Sequence, residues 1–130
     1  MSTPAPNEST ALVVAGDEET RVLLRGLLRL HHYRVVGEAE GAAQAVNLLR
    51  QTLPGVVVSD VNLVDGTFAD LIEAAKTVAP VPRVILVVPN SRPHAAAEAP
   101  VRPDVVLLRP FRIRQFAEAL AGPAPEPPPT

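Results

Sequence analysis

Short apolar runs and longer amphipathic stretches alternate along the chain. ALVVAG (11–16), YRVVGEAE (33–40), VVVSD (56–60), RVILVV (83–88) and DVVLL (104–108) are brief and rich in Val, Ile and Leu. Runs of this length and composition predict strands buried on both faces. Between them lie stretches with helical spacing. Residues 17–32 set Val22, Leu24, Leu27, Leu28 and Leu30 among arginines, with Asp17, Glu18 and Glu19 complementing the helix dipole at the start. Residues 41–52 put Ala43, Val46 and Leu49 on one face, and Pro54 and Gly55 stop them. Residues 66–79 open on Thr67, a suitable N-cap, and stop at Pro80 and Pro82. Residues 91–99 predict a short helix with Pro93 in its first turn, and 113–121 a last helix closed by Gly122.

Five strands alternating with five helices predict an α/β fold with a parallel sheet covered on both faces. Right-handed crossovers reduce the topologies to a flavodoxin-like, doubly wound (βα)5 unit of strand order 2-1-3-4-5. The domain is expected over residues 10–121. A Ser-, Thr- and Pro-containing tail (1–9) and a Pro-rich tail (122–130, GPAPEPPPT) are expected to be disordered. In such sheets the chemistry lies beyond the carboxyl ends of the strands, where the strand order reverses between the first and third. Asp60 ends the third strand. The residues that follow the first are Ala15, Gly16, Asp17 and Glu18.

Composition narrows the options. The 130 residues carry a net charge of −2, which offers no broad basic surface for nucleic acid. There is no cysteine, so disulfides, thiolate metal sites and cysteine nucleophiles are excluded. The N-terminus lacks a signal-peptide pattern and no apolar run approaches a membrane span, so a cytoplasmic location is expected. Neither a GxGxxG nor a GKS/T phosphate loop occurs.

Three segments, in the right order, resemble the receiver domain of bacterial two-component response regulators. DVNLVDG (60–66) is similar to that family's phosphoacceptor segment, LLRPF (107–111) to its Leu-Leu-Lys-Pro-Phe, and LVVAGDEETRVLLRGLL (12–28) to its first strand and helix. The resemblance covers residues 11–121. It implies a signalling protein rather than an enzyme, with Asp60 accepting a phosphoryl group from a histidine kinase. It implies Mg²⁺ held by Asp60, by the backbone carbonyl of Asn62 and by an acid pair after the first strand. A hard cation and fixed positive charge neutralise a loose, charged transition state. It also implies a cis peptide bond before Pro110.

Position by position, the chain departs from the family. The acid pair falls on Ala15 and Gly16, with Asp17 the nearest carboxylate that could stand in as a metal ligand. The Thr or Ser after the fourth strand falls on Val87. The aromatic of the switch pair falls on Val106. The phosphate-contacting Lys falls on Arg109, whose planar fork differs from an ammonium; the one lysine, Lys76, is far from the site. Arg109 is expected either to contact phosphate or to pair with Asp60, which would lower the pKa of Asp60. The alternatives for Asp17 and Glu18 are helix-dipole partners, and His31 and His32 read as helix C-terminal residues. Mg²⁺ binding is therefore expected to be weak. Signalling is expected to run through protein contacts at the fourth helix, fifth strand and fifth helix, with a histidine kinase, another signalling protein or a second copy as partner. A small ligand-binding or enzymatic protein on the same scaffold is the competing reading.

Overall fold

The computed structural model of the chain describes residues 9–121. Residues 1–8 of the N-terminal tail and the Pro-rich tail 122–130 lie outside the described residues. The strands are β1 (Thr10–Val14), β2 (Arg34–Ala39), β3 (Val56–Asp60), β4 (Arg83–Pro89) and β5 (Val105–Arg109). The helices are α1 (Glu18–Leu30), α2 (Ala42–Thr52), α3 (Phe68–Ala75) and α4 (Ile113–Ala121). All strand pairs are parallel, in the order β2-β1-β3-β4-β5. This is the flavodoxin-like arrangement expected from the alternation.

Side chains of successive strand residues go to opposite faces. Leu12, Val14, Val57, Val84, Leu86 and Val88 pack with α2 and α3 on one face. Ala11, Val13, Val56, Val58, Ile85, Val87 and Leu107 pack with Leu24 and Leu28 of α1 and Phe116 of α4 on the other. Each such fully buried Leu, Val or Phe contributes about 1.5–3 kcal/mol relative to exposure. Phe116 lies between Phe111, ring centroids 5.8 Å apart, and His31, 5.9 Å apart.

The helices begin where their caps allow. Asp17 caps α1, accepting from the amide of Thr20, with Glu18 and Glu19 in the first turn. Thr67 and Asp70 form a capping box at α3. α2 differs, since its N-cap, Gly41, has no side chain and its first turn has no acid.

The fourth crossover departs from expectation. The helix predicted over 91–99 shrinks to one 3-10 turn, Ala95–Glu98. Pro93 and Pro100 bracket a run too short to sustain α-helical hydrogen bonding. There are thus four α-helices among the described residues, and the face of β5 that a full helix would cover is partly bare. Val106 is 43% exposed and Leu108 47% exposed.

Candidate functional site at the carboxyl edge of the sheet

Asp60 ends β3 in register with Val87 of β4. Both are buried, Asp60 to 4% exposure. One carboxylate oxygen, Oδ1, accepts the amide of Val61 at 2.7 Å. Burial pushes the Asp60 carboxyl above the usual carboxylate range, because a low-polarity surround disfavours the ion. The amides of Val61 and Asn62 and the charge of Arg109 offset this only in part, and the charge of Asp17 adds to it.

Of the two roles open to Arg109, the ion pair with Asp60 does not form among the described residues, and the Asp60 pKa is raised, not lowered as such a pair would make it. Arg109, opposite Pro89 at the end of β5, directs Nη1 to Thr20 Oγ1 at 3.4 Å instead. Its charge acts on Asp60 without contact, and desolvation outweighs it. The Arg109–Pro110 peptide is cis.

Beyond the last β1–β3 pair, Val14 with Ser59, the chain enters the loop of Ala15 and Gly16. Ala15 is fully buried and its amide donates to Ala39 O at 2.9 Å. The amide of Gly16 donates to Asn62 O at 2.9 Å. A Cβ on Gly16 would meet that same oxygen at 2.8 Å, so the close approach requires glycine.

Asp17 faces its own helix. Its Oδ2 accepts the amide of Thr20 at 3.0 Å and the Thr20 hydroxyl at 2.8 Å. Those two bonds hold the Asp17 carboxyl below its ordinary value. The helix-dipole reading of Asp17 is thus the one its contacts support. Sequence reasoning passed over Thr20, whose hydroxyl links Arg109 to Asp17; the Asp-x-x-Thr spacing of an N-cap was the available signal. It also passed over Arg21, whose Nη1 donates to Ala15 O at 2.7 Å. His31 is the C-cap of α1, its ring Nδ1 within 2.8 Å of Leu27 O.

The oxygens present do not fit an octahedral Mg²⁺ shell. No group of three His, Cys, Asp or Glu side chains is gathered among the described residues. Asp60 Oδ1 is bonded to Val61, Asn62 O to Gly16 and Asp17 Oδ2 to Thr20. Around Asp60, hydrophobic Ala15 and Val87 offer neither a carboxylate nor a hydroxyl.

The loop after β3 is fastened on both sides. Besides the Gly16–Asn62 bond, Val64 N donates to Glu40 O at 2.9 Å and Ala42 N to Asp65 O at 3.1 Å. Gly66 takes a left-handed φ of 61° and packs where a Cβ would meet Ala42 Cβ at 2.7 Å.

No protein-family model matches the chain. Over 112 residues, 84% of the chain, it is 28% identical to Histidine kinase P4 of Formosa agariphila, and it spans 8% of that protein's length. Solved structures with the same fold include the receiver domain of AraT, a response regulator of Geobacillus stearothermophilus, with a TM-score of 0.77 and 21% identity over 88% of this chain and 91% of that one. The receiver domain of the Erythrobacter litoralis PhyR response regulator gives a TM-score of 0.72 at 19% identity, over 93% and 97%. A receiver domain protein from Clostridium thermocellum gives 0.74 at 16%, over 87% and 91%. No helix among the described residues is long and apolar enough to cross a membrane. The chain therefore has the fold of response regulator receiver domains, with a buried aspartate at the carboxyl end of its central strand.

Proposed function

We propose that the chain is a receiver module of two-component signalling that works through protein contacts rather than through phosphorylation of Asp60. The observation that carries this reading is the surround of Asp60. Its carboxylate is buried against Val87, bonded to the next backbone amide and without a gathered set of metal-ligating acids. Phosphoryl transfer to a carboxylate needs positive charge on the transferring oxygens. The charge of Arg109 acts on Asp60, but its guanidinium is directed to Thr20. The receiver fold and the likeness to part of a histidine kinase support a place in phosphorelay signalling.

The contact surface lies on the bare side of β5. Val106 and Leu108 are exposed there. A groove of about 350 Å³ runs between the 3-10 turn and β5, lined by Pro93, His94, Ala96 and Val106 among others. A signalling protein or a second copy docks on this apolar strip, since removing such side chains from water is what drives association.

The test is incubation of the chain with acetyl phosphate and Mg²⁺, followed by intact mass. No adduct is expected. A stable gain of one phosphoryl group, absent from Asp60→Asn, would overturn the phosphorylation-independent reading.

A further inference from the structure

We infer that Asp65 is a positioning residue: it caps the N-terminus of α2 from the neighbouring loop and thereby holds the segment that leaves Asp60. Three observations converge. α1 and α3 carry their own caps, Asp17 and Thr67. α2 has neither a side-chain cap at Gly41 nor an acid in its first turn. The missing groups arrive from the β3–α3 loop, where Asp65 Oδ1 accepts the amide of Ala43 at 3.2 Å and Asp65 O accepts that of Ala42 at 3.1 Å. One residue thus satisfies two of the orphan amides of a helix to which it does not belong, and brings its negative charge to the positive end of that helix.

Gly41 is the counterpart of this arrangement. A Cβ there would lie 2.5 Å from Asp65 Oδ1 and 2.7 Å from its carboxyl carbon. Its φ of −138° is open to any residue, so what a side chain here would cost is the place of the Asp65 carboxylate, which it would push aside, and not backbone strain. The two positions form one device. The Asp60 loop can lie where it does because Gly41 leaves room for the carboxylate that fastens it. This holds independently of any phosphoryl chemistry at Asp60, so the two proposals stand or fall separately.

The test compares the full chain with Asp65→Ala, Asp65→Asn, Gly41→Ala and the Gly41→Ala/Asp65→Ala double variant, by amide exchange, amide shifts and urea unfolding. In Asp65→Ala the Ala43 amide is expected to exchange roughly fivefold faster, the loss typical of a helix cap. The amide shifts of Asp60, Val61 and Asn62 move with it. Asp65→Asn keeps an acceptor at the same atom and restores most of both. Gly41→Ala lowers the urea midpoint in the parent, and much less in the Asp65→Ala background, because the clash has gone. Should Asp65→Ala not fold, Gly41→Ala alone carries the test, since it displaces the carboxylate and must also speed Ala43 exchange. Unchanged Ala43 exchange in the folded variants, or an equal cost of Gly41→Ala in both backgrounds, would overturn the inference.

Discussion

The amide of Gly16 donates to the carbonyl of Asn62 across 2.9 Å, closing the loop after β1 onto the loop after β3. The resemblance to receiver domains assigned that carbonyl to a metal ion and an acid to the glycine's position. Here the two backbones occupy the space themselves. Restoring an acid by Gly16→Asp forces a Cβ against Asn62 O, 2.8 Å away. We expect a loss of about 1–3 kcal/mol, the usual cost of overpacking, measured by urea unfolding. Addition of millimolar Mg²⁺ should produce no saturable amide shifts at Asp60 in this variant. Undiminished stability together with such shifts would show that the closure yields easily.

Asp60 makes a prediction about pH. Its carboxyl titrates above the ordinary value of 3.8 because it is buried. Between the ordinary and the raised pKa, the folded chain keeps a proton that the unfolded chain has released. Stability from this group is therefore present at low pH and is lost as pH rises through that window. Asp60→Asn removes the titration. Its urea midpoint should exceed that of the parent at neutral pH, and the gap should shrink as pH falls toward 3.8. A midpoint at or below the parent's at pH 7 would contradict the burial argument.

Asp17 behaves in the opposite sense, and Thr20 is the reason. The Thr20 hydroxyl and amide together hold the Asp17 carboxyl below its ordinary value. Thr20→Val keeps shape and amide but deletes the hydroxyl, which also accepts from Arg109. The Asp17 pKa, followed by carboxyl carbon shifts, should move up toward 3.8. The chain should lose stability, since the hydroxyl that joins Asp17 to Arg109 is gone. A Thr20→Val chain whose Asp17 titrates as in the parent would place the cause elsewhere.

The bare strip on β5 separates stability from association. Val106→Glu and Leu108→Glu replace side chains that are 43% and 47% exposed. Their thermal unfolding should stay within about 0.5 kcal/mol of the parent, as is usual for surface changes. Self-association, read by analytical ultracentrifugation, or capture of a histidine kinase should weaken at least tenfold, about 1.4 kcal/mol. Equal binding by the substituted chains would move the contact surface away from β5.

Much of this architecture was readable in residue order. Val56 to Val58 announce a strand buried on both sides, and Asp60 follows at the edge where doubly wound sheets place their chemistry. Thr67 was legible as a cap because a hydroxyl before a helix has a fixed use. The fourth helix was misread for an equally local reason. Ala95 to Ala97 favour helix by propensity, yet the six residues between Pro93 and Pro100 cannot repay the cost of starting one. The site was harder. Whether Arg109 meets Asp60 or Thr20 depends on where α1 lies against β5, positions 89 residues apart for that hydrogen bond. The sign of the Asp60 shift depends on packing from β1 and β4, which no nearby residue encodes. The cap that Asp65 gives α2 crosses 22 residues of chain, so no spacing rule signals it.

The shortened fourth crossover also bears on solubility. β5 is an outer strand with one row of peptide groups and two aliphatic side chains facing water, a template on which extended chains can stack. It is kept to five residues, Val105–Arg109. Pro103 and Asp104 stand before it, and Arg109 and Pro110 close it. Prolines cannot continue a ladder, and the charges resist burial in a stack of like strands. A short edge strand bracketed by proline and charge is a poor template for edge-to-edge stacking, so the bare side of β5 carries less aggregation hazard than its exposed Val106 and Leu108 alone would suggest.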